Sequence, residues 1–138
     1  MTVICADPSP VSLLTLQKNI KRLLPDSDVY ICRNSDSAIQ LAEKHGCAVL
    51  ITAIDFGRDK EEGILLAEAI KDRCPRANII FATAASEGEY NSRILKIRYS
   101  GFLNKPYTAE DLRTELENLR YVSYDRGGGA PGMLADNS

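Results

Sequence analysis

The chain contains no tryptophan, two methionines and a single histidine among its 138 residues. It also lacks any long apolar run, any C-x-x-C pair and any large excess of one charge. Each absence excludes something. No stretch approaches the about 20 apolar residues that span a bilayer, so no membrane association is expected. The opening segment MTVICADPSP has neither the basic start nor the apolar centre of a secretory signal, and the expected location is the cytoplasm. A net charge of −2 provides no basic field to hold nucleic acid or an anionic membrane. The lone histidine, His45, precedes Gly46 at the end of an expected helix, where it reads as a C-terminal helix residue rather than a catalytic base.

The four cysteines, Cys5, Cys32, Cys47 and Cys74, are separated by 27, 15 and 27 residues. That spacing fits neither a zinc ribbon nor a dithiol redox motif. Each cysteine lies in or beside an apolar segment and reads as a small buried thiol in a reducing compartment. Apolar types make up 44% and charged types 26%, which is ordinary for one soluble domain that buries a core without disulfides or metal.

The apolar residues fall into two alternating patterns. Short unbroken runs predict buried strands at Val3–Ala6, Val29–Cys32, Cys47–Ile54, Asn78–Thr83 and Phe102–Asn104. Between them, apolar residues at helical spacing predict amphipathic helices. The first begins at Pro8-Ser9-Pro10 and carries Leu13, Leu16 and Ile20 until Pro25 stops it. The second is capped by Ser35 and ends at Gly46. The third runs from about Gly63 to Arg73, with Leu66, Ala67 and Ile70 on one face. The fourth is capped by Ser86 and runs from Glu87 to about Tyr99. In the last, Thr108 and Asp111 make a capping-box variant ahead of Leu112, Leu116 and Leu119.

Five strand–helix repeats predict an α/β fold of flavodoxin-like type. It has a five-stranded parallel sheet of order 2-1-3-4-5 with helices on both faces. The domain is expected to span residues 1–121. Residues 122–138, rich in glycine and without periodicity, read as a flexible tail or linker. Chemistry in such sheets collects at the carboxyl ends of the strands. Those ends are Ala6-Asp7, Ala53 to Asp55, Thr83 to Ala85 and Asn104 to Pro106.

An acid after the first strand, a hydroxyl ending the fourth and Lys-Pro after the fifth converge on one sheet edge. With the segments ICADPS, VLITAIDF, IIFATAASE and SGFLNKPYTAEDL, residues 2–121 resemble the response-regulator receiver domain, the CheY-like module of two-component signal transduction and phosphorelays. The ending ELENLRY is similar to receivers of bacterial transcription regulators. The resemblance implies an acidic pair after strand one, a phosphoacceptor aspartate ending strand three, a Ser/Thr ending strand four and a lysine before a proline, often in cis. In that set the carboxylates hold Mg²⁺, and metal and lysine neutralise the transferring phosphoryl group.

By the resemblance, Asp7 matches the second acid, Thr83 the hydroxyl, Lys105 the lysine and Phe102 the aromatic switch position. Two positions depart from it. Ala6 replaces the first acid, and Ala53 stands where the phosphoacceptor belongs. A methyl group accepts no phosphoryl group, and Asp7 is the carboxylate left to touch a metal. The expectation is therefore a pseudo-receiver with little or no Mg²⁺ binding and no other cofactor. It would not be an enzyme, and it would act by protein–protein contact. Asp55, two residues past Ala53, is either a loop acid or a displaced acceptor that reaches toward Lys105. Lys105, without a carboxylate at position 53, is expected to turn to Asp7 or Asp55.

Two origins of Ala53 stand open. Natural degeneration accounts for Ala6 and the FGRDKEEG loop as well, whereas an engineered Asp-to-Ala change in an ordinary receiver accounts for Ala53 alone. A third reading is a small flavodoxin-like cofactor binder, but CADPSPVS puts prolines and an acid where a phosphate loop needs Gly, Ser and Thr. By the resemblance, partners are an effector domain, a kinase or another receiver, a homodimer included. They would meet the chain through helix four, strand five and helix five, where Tyr90, Ile94, Ile97, Tyr99 and Tyr107 lie among charged residues; Ile94 and Ile97 each read singly as core, and the tyrosines and charges together as the exposed part.

Overall fold

The computed structural model describes residues 1–84, 88 and 91–127. Five parallel strands form one sheet in the order β2-β1-β3-β4-β5. They are β1 Thr2–Ala6, β2 Asp28–Cys32, β3 Val49–Thr52, β4 Asn78–Thr83 and β5 Gly101–Asn104. The helices are α1 Pro10–Leu23, α2 Ser35–His45, α3 Glu62–Arg73, α4 Asn91–Ile94 and α5 Ala109–Gly127. This is the flavodoxin-like order expected from the strand–helix repeats. Among the described residues, no helix is long and apolar enough to cross a membrane.

The central strands are apolar on both sides because both sides are covered. Ile4, Leu50, Ile79 and Phe81 pack with residues of α2, α3 and α4 on one face. Val3, Cys5, Ile51 and Ile80 pack with α1 and α5 on the other. Burial pushes the Cys47 thiol up to about 12 and the Cys32 thiol up to about 11, and raises Cys5 further. Such thiols stay protonated and behave as small apolar groups.

Two helix-to-strand turns use the same device. Leu24 N–H donates to Ile20 O at the end of α1, and Cys74 N–H to Ile70 O at the end of α3. Lys21 Nζ then reaches the carbonyls of Pro25 and Ser27 at 3.5 and 2.8 Å. Lys71 Nζ reaches those of Pro75 and Ala77 at 3.1 and 2.8 Å. The prolines end each helix, and a cation four residues upstream satisfies carbonyls that the turn strands. Lys21→Met and Lys71→Met are each expected to lower stability by about 0.5–1 kcal/mol. Lys71 should cost more because it is the less exposed, and urea midpoints of the two variants check this.

Several boundaries differ from the sequence reading. Strand β3 is shorter than Cys47–Ile54, because Ala53 and Ile54 already turn toward α3. The cap of α2 is Asn34, whose side chain accepts from Ser37 N–H at 2.8 Å, and Ser35 is the first helical residue. Of the expected fourth helix, Glu87 to about Tyr99, the described residues show α4 followed by a 3₁₀ turn, Leu95–Ile97. Arg98 ends it in the left-handed region, with φ 59° and ψ 53°, and a helix does not continue through that conformation. The expected start of that helix, with its Ser86 cap and Tyr90, lies outside the described residues. Helix α5 continues past the expected boundary at Tyr121 to Gly127. Val122 to Arg126 contain neither proline nor glycine to stop it. The rest of the expected tail, 128–138, also lies outside the described residues.

Candidate functional site

The site lies at the carboxyl edge of the sheet, over β1, β3, β4 and β5. Asp7 leaves β1 with its backbone still tied to β2, its N–H donating to Cys32 O at 3.1 Å. Its carboxylate is buried. One oxygen accepts from Ser9 N–H at 2.9 Å, while Ser9 Oγ caps α1 through Ser12 N–H at 3.2 Å. The other oxygen accepts from Lys105 Nζ at 2.6 Å. Lys105 follows β5, held there by its N–H to Thr83 O at 2.9 Å, and the Lys105–Pro106 bond is cis, as expected.

The lysine therefore chooses Asp7. Asp55 is exposed and turned back into its own loop, where it accepts from Gly57 N–H at 2.7 Å. Among the described residues it makes no ion pair with Lys105. Extended alternation past Ala53 would have brought Asp55 to Lys105, but the strand ends at Thr52 and the alternation ends with it.

Ala53 is buried between these elements. Its N–H donates to Ala6 O at 2.9 Å, and its own carbonyl lies against the start of α3. A side chain on Gly63 would stand 1.7 Å from that oxygen. Thr83 ends β4 beside it, buried, in register with Asn104. Phe102 is half-buried, with its ring 6.4 Å from both Phe81 and Tyr99. The edge thus brings together Asp7, Ala53, Thr83 and Lys105, places Phe102 one strand position before Leu103, and leaves Asp55 apart.

The donor set does not suit a hard divalent cation. Such ions want six or more oxygen ligands. Here Ala6 and Ala53 contribute methyl groups, and the carboxylate of Asp7 already faces an ammonium. Among the described residues, no cluster of three or more His, Cys, Asp or Glu forms.

Contacts that sequence reasoning did not find surround the site. Glu62 Oε2 accepts from Ser35 N–H at 3.0 Å, so the start of α3 caps the start of α2. Glu61 pairs with Arg93 at 2.7 Å and ties the β3–α3 loop to α4. Gly63 carried one readable signal, a glycine in the first turn of an otherwise apolar helix. The other contacts cross the chain at separations no local pattern encodes.

On the expected contact face the two isoleucines take the core position expected of each singly. Ile94 and Ile97 are buried core residues. Tyr99 packs against Phe81 at 5.8 Å. Tyr107 packs against the α1–α5 core, and burial first, then Cys5 and Asp7, pushes its phenol up to about 12. The two isoleucines are therefore core, and the two tyrosines are half-buried against it. Among the described residues, the charged side chains this face exposes include Arg93, Lys96, Arg98, Glu110, Asp111 and Arg113.

A doubly wound sheet of order 2-1-3-4-5, with Asp7, Thr83 and a cis Lys-Pro at its carboxyl edge, defines a receiver-type architecture. The response regulator receiver domain profile matches residues 3–117. Solved structures of the same fold include a response regulator receiver domain protein from Clostridium thermocellum, 19% identical, TM-score 0.73, covering 86% of this chain and 92% of that one. Chemotaxis protein CheY4 of Vibrio cholerae is 18% identical, TM-score 0.76, over 86% and 97%. A DNA-binding response regulator of the LuxR family from Staphylococcus aureus is 17% identical, TM-score 0.74, over 86% and 97%. No curated protein matches significantly. The chain belongs to the response regulator receiver domain family, the signalling modules of two-component systems.

Proposed function

We propose that this receiver works without phosphorylation at position 53 and signals through contact with a protein partner. The observation that carries the reading is the pairing of a buried methyl group, Ala53, with an Asp7–Lys105 ion pair at 2.6 Å. The acceptor oxygen is missing, and the lysine that would meet a phosphoryl group already holds an anion. Asp55 is no replacement, since its carboxylate faces Gly57. The conformation is then set by packing and by the partner rather than by a phosphodonor. The contact face proposed is the charged surface of α4, β5 and α5, and the partner an effector domain, a kinase or another receiver.

Acetyl phosphate or beryllofluoride with Mg²⁺ is expected to leave the amide spectrum of the labelled protein unchanged. Shifts clustered at Thr83, Phe102 and Lys105 would overturn the reading. Ala53→Asp restores the acceptor but not the acidic pair, so a response from that variant requires that Ala6 be tolerated.

A further inference from the structure

The sheet has two edges, and the fold treats them differently. At β5, Phe102 N–H points away from β4 and donates to Glu115 Oε1 at 3.3 Å. That carboxylate fills the space beside Gly101. The β2 edge has no such cover. Asp28 N–H donates to Met1 O, and Cys32 O accepts from Asp7 N–H. Asp28, Tyr30 and Cys32 therefore direct their backbone groups to β1, and by alternation Val29, Ile31 and Arg33 direct theirs outward. Among the described residues, no protein acceptor takes the outward N–H of Val29 or Ile31. The strand, DVYIC, also lacks the lysine or proline that commonly protects an edge.

A groove of about 400 Å³ runs between this edge and α2. Ile31 and Leu41 provide its apolar surface, Ser37 and Gln40 its neutral polar groups, and Arg33 and Lys44 its charge; no carboxylate lines it. Arg33 is held in place by Nε donating to Pro8 O at 3.3 Å, which leaves its other N–H groups for an anion.

We infer that the β2 edge accepts an extended, acidic, β-branched segment of a protein partner as an added strand. The outward backbone groups pair with the segment, and the two cations select its acids. A second copy of this chain is poorly matched to the edge. A second copy would bring to the edge the strand DVYIC, with Asp28 as its one acid, and a groove lined by no carboxylate, so it offers the two cations less negative charge than an acidic segment does. The inference concerns the edge remote from β4 and β5, and it holds whatever happens at Ala53.

The test titrates the labelled full chain with a synthetic peptide alternating glutamate and valine, and with its lysine-for-glutamate counterpart. The acidic peptide is expected to give saturable shifts at Val29, Ile31 and Arg33 and to slow hydrogen exchange at Val29 and Ile31. The lysine peptide should bind at least about tenfold more weakly, a difference near 1.4 kcal/mol. Arg33→Glu/Lys44→Glu should reverse that preference. Ile31→Pro removes an N–H outside the sheet ladder and should weaken the acidic peptide while leaving the far-ultraviolet circular dichroism unchanged. Equal binding of the two peptides, or no saturable shift at these amides, overturns the inference. So does peptide-free, concentration-dependent shifting of the same amides, which would make a second copy the occupant.

Discussion

Gly63→Ala should destabilise the domain by about 3–5 kcal/mol, against the helix-propensity rule that favours alanine by about 1 kcal/mol. The new methyl would stand 1.7 Å from Ala53 O and 2.7 Å from Ile54 Cα. Both are backbone atoms at the end of a buried strand, so relief requires moving α3 off the sheet. Gly101→Ala is the informative contrast. Its methyl would meet Glu115 Oε1 at 2.1 Å, the far end of a side chain that swings away. The cost there should stay within about 1 kcal/mol. Thermal unfolding should show a fall of roughly 10–20 °C for Gly63→Ala and a few degrees for Gly101→Ala. Equal falls would mean that helix α3 yields more easily than its contacts imply.

The second large effect belongs to the ion pair. Lys105→Met leaves the Asp7 carboxylate, whose side chain is 7% exposed, with Ser9 N–H as its hydrogen-bond donor among the described residues. We expect a loss of about 2–3 kcal/mol, below the full cost of breaking a wholly buried pair because the Lys105 side chain is 28% exposed. Asp7→Asn should cost less, about 1–2 kcal/mol. The amide oxygen still accepts from Ser9, and the freed ammonium turns to solvent. In the double variant the two losses should fall short of their sum by about 1 kcal/mol or more. Strict additivity in denaturant titrations would show that the two charges do not depend on each other.

The architecture was legible because each strand is a short apolar run and four of the helices repeat apolar residues on one face. CAVLITAI and NIIFAT can only be buried on both sides, and that fixes a parallel layered sheet. The 3₁₀ end of helix four was not legible in the same way. It is set by the backbone conformation of Arg98, a residue with no sequence signature for the left-handed region. The partial burial of Tyr99 and Tyr107 was missed for a related reason. An aromatic residue in a polar segment reads as exposed until the neighbouring element is known to lie close. At the site, the identities of Asp7, Ala53, Thr83 and Lys105 were readable one by one. The choice of Lys105 between Asp7 and Asp55 was not, because it depends on where β3 ends.

The two ion pairs around this edge obey different rules toward dissolved salt. Glu61–Arg93 joins side chains that are 37% and 51% exposed, and counterions reach both. At molar ionic strength the screening length falls to about 3 Å, and the attraction that links the β3–α3 loop to α4 weakens. Asp7–Lys105 is shielded by the protein itself and keeps its hold. Ionic strength thus discriminates between the two fastenings: it loosens the tie between α4 and the loop after position 53 more than the one that joins the strand ends beneath.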